Sequence, residues 1–146
     1  AIGSQGGFVL GKKQLIQLLI NKARSFVYST APTPAASAAS IQAIDIIQND
    51  TILRKKLWEN VHYFRTKINK LGLNTADSQG PIIPMMIGST QDVLRISKKL
   101  KEKNILAVPI RPPTVPKGKD RIRFTVTAKH SFEDIDTLID VLKKIN

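Results

Sequence analysis

The spacing of apolar residues changes repeatedly along the chain, and this alternation constrains the fold more than any other feature. Over residues 52–71 the apolar positions Leu57, Val61, Phe64, Ile68 and Leu71 recur every three or four residues, the period of one face of a long helix. Gly72 is placed to end it. Ile82-Ile83-Pro84-Met85-Met86-Ile87 is a short continuous run, as expected of a strand. Its Pro84 cannot donate to a ladder, which implies an edge position or a bulge. The helical spacing returns over 89–103 at Val93, Ile96 and Leu100, with Ser89 and Asp92 as a capping pair. It returns again after Ser131-Phe132-Glu133-Asp134, at Ile135, Leu138, Ile139, Leu142 and Ile145. Between these helices, Ile105-Leu106-Ala107-Val108 begins one strand, and residues 121–127 form another that alternates Ile122, Phe124 and Val126 with Arg121, Arg123, Thr125 and Thr127. The pattern predicts a small, mostly antiparallel sheet covered by helices.

The first third reads differently. Phe8-Val9-Leu10, between Gly7 and Gly11, and Ser25-Phe26-Val27-Tyr28-Ser29-Thr30 are each expected to be short strands. Residues 12–24 are expected to form a helix that is largely buried, because Leu15, Ile16, Leu18, Leu19 and Ile20 nearly surround its axis. Ala31-Pro32-Thr33-Pro34 breaks regular structure. A further helix over 35–48 opens with small residues that would pack closely on a neighbour. The fold class is therefore α/β: residues 1–44 as the end of an α/β layer with a linking helix, then 45–146 as a compact α+β domain.

Charge adds one question. Lys and Arg total 23 against 11 Asp and Glu, a formal net charge of +12. Such an excess suits a nucleic-acid surface or an ordinary lysine-rich one. The lysines are spread over the polar sides of the helical stretches, with no basic run interleaved with aromatics, so the ordinary reading is preferred. There is no Cys, which excludes thiol catalysis, disulfides and a Cys-ligated metal within these residues. His62 and His130 have no metal-type partners at ligand spacing and read as structural; no metal site is expected. No apolar run reaches the length of a membrane span. The first residues have no signal-peptide character and no initiator Met, so the chain is expected to begin inside a longer, cytoplasmic one.

Three stretches hold residues suited to chemistry. Ile110-Arg111-Pro112-Pro113-Thr114-Val115-Pro116-Lys117-Gly118 is a stiff loop, and a pre-ordered loop loses little entropy on clamping a ligand. Arg111 offers a fork for carboxylate or phosphate and Thr114 a hydroxyl. Arg121 and Arg123 share a strand face and would repel unless an anion or acidic residues stood nearby. Gly3-Ser4-Gln5-Gly6-Gly7 would let backbone approach a ligand, though it lacks the order of a Walker loop or dinucleotide fingerprint. Each also has a plain structural reading: a rigid connection, a solvated sheet face, a flexible turn.

Taken together, these stretches resemble the α-oxoamine synthases, pyridoxal-phosphate enzymes of fold type I. Ala1-Ile2-Gly3-Ser4-Gln5-Gly6-Gly7-Phe8-Val9-Leu10-Gly11 is similar to the segment that directly follows the family's cofactor-binding lysine. Phe26-Val27-Tyr28-Ser29-Thr30-Ala31-Pro32-Thr33-Pro34-Ala35 is similar to its aromatic-Ser/Thr-Thr-x-x-Pro stretch. Arg111-Pro112-Pro113-Thr114-Val115-Pro116, Arg121-Ile122-Arg123 and Ala128-Lys129-His130 are similar to its C-terminal signature. The resemblance implies the end of a large cofactor-binding domain followed by the small C-terminal domain. It implies a homodimer using pyridoxal 5'-phosphate to condense an amino acid with an acyl thioester, with loss of CO2. Arg-Pro-Pro-Thr-Val-Pro is similar to the loop of members that take L-alanine and a pimeloyl thioester, as pimeloyl-CoA or pimeloyl-acyl carrier protein. Another α-oxoamine synthase, of the 2-amino-3-ketobutyrate CoA ligase type, is the alternative. By the same resemblance, Arg123 holds the amino-acid carboxylate, Thr114 contacts substrate, and Arg111 reaches the acyl or thioester end. Ser29 and Thr30 lie near the cofactor phosphate across the dimer interface, and Gly3 lets backbone pass close to the cofactor. The Schiff-base lysine is expected immediately before Ala1, and the ring-stacking histidine and ring-pairing aspartate further upstream. These 146 residues alone are then expected to hold no catalytic residue and to be inactive.

Overall fold

A computed structural model gives the structure and describes residues 2–145. The chain divides into two compact units, with the division between Thr51 and Ile52.

In the unit ending at Thr51, three helices form: α1 (Lys13–Lys22), α2 (Arg24–Val27) and α3 (Pro34–Asn49). The start of α3 follows from local chemistry. Thr33 caps it, its Oγ1 accepting from Ala36 N at 3.2 Å, and Pro34 occupies the first turn, where a missing N–H costs nothing. The close packing expected of the small residues of α3 is not seen: no residue of the helix is buried, although Ser4 Oγ donates to Ala36 O at 2.8 Å. The helix runs continuously through residue 44, where the sequence suggested a division.

Three further expectations fail here. Phe8-Val9-Leu10 is irregular and exposed rather than a strand. A strand needs a ladder partner, and among the described residues the unit supplies none. The stretch 25–30 is not a strand either: α2 occupies its start, with Val27 N bonded to Ala23 O at 2.9 Å and Tyr28 N to Arg24 O at 3.1 Å, so the backbone satisfies itself locally. Finally, α1 is not buried; Leu15, Leu18 and Ile20 remain exposed because no sheet forms among the described residues of the unit for them to cover.

The second unit has the architecture expected. Its helices are α4 (Thr51–Lys70), α5 (Thr90–Glu102) and α6 (Phe132–Ile145), and its strands are β1 (Ile82–Met86), β2 (Val108–Ile110) and β3 (Arg121–Thr125). The sheet is antiparallel in the order β1-β3-β2. Pro84 accordingly lies on an edge strand. The core joins Val61, Phe64 and Ile68 of α4, Val93, Ile96 and Leu100 of α5, and Ile135, Ile139 and Leu142 of α6 to Ile83, Met85, Ile122 and Phe124 of the sheet. Phe64 and Phe124 meet edge to face with centroids 5.5 Å apart.

The helix ends are built as their residues suggest. Ser89 Oγ accepts from Asp92 N, and Ser131 and Asp134 form a reciprocal box, with Ser131 N to Asp134 Oδ2 at 2.8 Å and Asp134 N to Ser131 Oγ at 3.1 Å. One strand is shifted. Residues 105–107 stay with α5, through Ile105 N to Leu100 O at 2.9 Å and Ser97 Oγ to Ala107 O at 3.2 Å, so β2 starts only at Val108. His130 is structural, its Nδ1 accepting from Thr127 N at 3.2 Å, while buried Asn60 donates to Thr127 O and His130 O at 3.0 and 2.8 Å. His62 is exposed on α4. Among the described residues no cluster could hold a metal ion, and no helix is long and apolar enough to cross a membrane.

Candidate functional site

The sheet has two unlike faces. Alternation along β3 turns Ile122 and Phe124 into the helical core and leaves Arg121, Arg123 and Thr125 on the other side. The register then fixes their neighbours. Arg123 stands between Pro84 of β1 and Val108 of β2; Arg121 stands between Met86 and Ile110. The two guanidiniums therefore rise from a face whose flanking side chains cannot neutralise them.

The repulsion expected between them is relieved only in part. Arg121 Nε donates to Lys119 O at 2.9 Å, which draws one fork back toward its own loop. Arg123 is exposed, and the ion pairs of the described residues join Lys55 to Glu59, Lys67 to Asp136, Arg95 to Asp92 and Lys143 to Asp140, leaving Arg123 and Arg111 outside them. A planar fork with its donors free, set among apolar neighbours, suits a carboxylate taken in two parallel hydrogen bonds.

The proline-framed loop links β2 to β3 and so belongs to the same hairpin. Thr114 N donates to Arg111 O at 3.0 Å, closing a turn that brings these two residues together on an exposed segment; the Pro112–Pro113 bond is cis. Arg111, Thr114 and Arg123 are thus gathered on one β2–β3 hairpin. Ser29, Thr30 and Gly3 lie in the other unit. Ser29 and Thr30 follow α2 and are exposed, with Ser29 Oγ donating to Ser25 O. Gly3 has φ 72, and a Cβ built there would meet nothing within 4 Å.

Two polar residues of the second unit, Asn60 and Asp120, are buried although neither stands in the motifs above. Each carried a signal. Asn60 is a polar residue one position from Val61 on the apolar side of α4, and Asp120 is a lone acid within a basic hairpin.

Residues 1–142 match the family model described as aminotransferase class I and II. Among curated proteins, an 8-amino-7-oxononanoate synthase of Thermoanaerobacter pseudethanolicus is 46% identical over 145 residues, covering 99% of this chain and 37% of that protein. The chain thus spans a little over a third of the length of the curated relatives it matches. Among solved structures, one of SPT with a PLP internal aldimine superposes with a TM-score of 0.87 at 19% identity, covering 99% of this chain and 37% of that one. The 8-amino-7-oxononanoate synthase of Francisella tularensis superposes with a TM-score of 0.75 at 22% identity, over 91% of this chain and 39% of that one. These structural likenesses show the mixed α/β fold expected from the sequence.

Proposed function

The chain belongs to the aminotransferase class I and II family, and on that premise we propose that it forms the C-terminal part of an 8-amino-7-oxononanoate synthase, a pyridoxal-phosphate-dependent acyltransferase of biotin synthesis. The reaction joins L-alanine to a pimeloyl thioester, on coenzyme A or acyl carrier protein, with loss of CO2. The observation that carries the reading is Arg123: an exposed fork between Pro84 and Val108, on the same hairpin as Thr114. The name and 46% identity of the Thermoanaerobacter relative support it.

On this reading Arg123 holds the alanine carboxylate and so orients the bonds at Cα. Thr114 offers its hydroxyl to the substrate, and Arg111 reaches toward the acyl or thioester end. The residues assigned to the cofactor suit it. Thr30 presents an exposed hydroxyl to a phosphate across a homodimer interface, Ser29 does the same once its proton turns from Ser25 O, and Gly3 leaves open space where a side chain would stand. When bound, the cofactor supplies the electron sink that stabilises a carbanion at Cα. The lysine that holds it directly precedes Ala1 on this reading, so the 146 residues alone would be inactive. The enzyme works in the cytoplasm, with neither nucleic acid nor membrane as a partner.

The test is the purified full-length protein, loaded with pyridoxal phosphate and given L-alanine with a pimeloyl thioester. The expected result is CO2 release and a product with the mass of 8-amino-7-oxononanoate. Turnover of glycine but not L-alanine would move the assignment to a 2-amino-3-ketobutyrate CoA ligase-like enzyme. A full-length protein with no lysine directly before Ala1 would count against both.

A further inference from the structure

Asp120 is only 2% exposed, and it is the buried ionisable side chain among the described residues. A desolvated carboxylate is costly unless hydrogen-bonded or paired. The basic residues of its own hairpin, Arg111, Lys117, Lys119, Arg121 and Arg123, do not pair with it. Its Oδ1 instead accepts from Thr90 Oγ1, at the first residue of α5. There the partial positive charge of the helix start also favours a carboxylate.

The backbone of the same residue is held from the same place. Ile87 N and Gly88 N both donate to Asp120 O, at 3.0 and 2.9 Å. The two turns approach closely: Gly88 has φ 84, and a Cβ there would lie 3.4 Å from Gly118 O. Three hydrogen bonds from residues 87–90 thus converge on one residue at the foot of the proline-framed loop. One residue later β3 begins, with Arg121 opposite Met86, and Arg123 follows two positions on.

We infer that Asp120 and Thr90 form a positioning latch, which ties the foot of the β2–β3 loop to the start of α5 and thereby sets Arg123 and Thr114 relative to each other. The inference rests on the substrate roles proposed above for those two residues. Register explains its reach: a one-residue slip of β3 would turn Arg123 to the helical side of the sheet, so the point where the ladder starts decides whether the fork meets substrate. Asp120 and Thr90 touch no substrate in this scheme.

The test compares Thr90→Val, which removes the hydroxyl at similar volume, with Thr90→Ser, which keeps it, in the full-length protein. Two readouts are taken: amide hydrogen exchange over residues 111–125, and the KM values for L-alanine and for the thioester. Thr90→Val should speed exchange in that segment and raise the KM for L-alanine roughly tenfold, well within the loss a misplacement of about 1 Å can cause. Thr90→Ser should restore both. Asp120→Asn, which keeps an acceptor but loses the charge, should fall between them. Should Thr90→Val lower thermal stability while leaving exchange over 111–125 and the KM for L-alanine unchanged, the pair is merely structural and the inference is overturned. Because exchange is read without turnover, an unlatched hairpin is distinguishable from an enzyme that never accepted L-alanine: only the wild-type assay fails in the second case.

Discussion

The two units of this chain both carry helices rich in apolar residues, with opposite outcomes. In the unit beginning at Ile52, residues at helical spacing meet a sheet and disappear from solvent, Val93 and Leu100 both to 0% exposure. In the unit ending at Thr51, α1 and α3 are also rich in apolar residues, yet Leu18 is 56% and Ile41 70% exposed. Periodicity marks which face of an element is apolar; burial additionally requires a second surface of matching kind. The later unit contains that surface in its own sequence, and the earlier one does not.

The largest expected effect sharpens this contrast. Phe64 is 1% exposed and packs on Phe124, so Phe64→Ala should destabilise the second unit by about 3–5 kcal/mol, measured by urea unfolding. Ile41→Ala, on the exposed face of α3, should change stability by no more than about 0.5 kcal/mol in the same chain. A comparable loss at both sites would break the comparison, because it would mean that the α3 face is covered.

Next come the helix caps. Ser131→Ala removes half of a reciprocal box on α6 and should cost about 1 kcal/mol. Thr33→Ala removes a single bond to Ala36 N on α3 and should cost less, toward the lower end of the roughly 0.5–2 kcal/mol range for caps. An α3 cap worth more than the α6 box would reverse the order that packing dictates.

The smallest effect is one of pH. Lys67 and the Tyr63 hydroxyl, both bonded to Asp136, hold its carboxyl below the usual carboxylate range. Its contribution is therefore complete above the unfolded value and fades as pH falls through the depressed folded one. The second unit should lose a little thermal stability below about pH 4, and Asp136→Asn should flatten that slope. The effect is small because the pair is solvent-accessible. An acid slope unchanged by the substitution would assign the loss to Asp92, Asp134 and Asp140, whose carboxyls are lowered by Arg95, Ser131 and Lys143 respectively.

These contrasts also explain what could be read from the residues alone. The helices and sheet of the second unit are legible because Ile122 and Phe124 alternate, and Val61 and Phe64 recur at helical spacing, each marking the apolar face that its element turns to the core. The exposed face holding Arg123 followed from the same alternation. The strands expected at Phe8-Val9-Leu10 and Ser25 onward were not recovered: a short apolar run becomes a strand only beside a partner, and residues 24–27 close a helical turn instead. Residues 105–107 depart from the expected strand because their tie to α5 runs through Leu100 O and Ser97, contacts that no strand pattern encodes. The latch at Asp120 was invisible for a related reason, since its partner Thr90 is thirty residues away.

The most direct measurement is steady-state kinetics of the full-length Arg123→Lys variant with each substrate varied in turn. Lysine keeps the charge but loses the fork, so the KM for L-alanine should rise by roughly tenfold or more while that for the thioester stays within about twofold. An unchanged KM for L-alanine, or an equal rise for both substrates, would contradict a carboxylate held by Arg123.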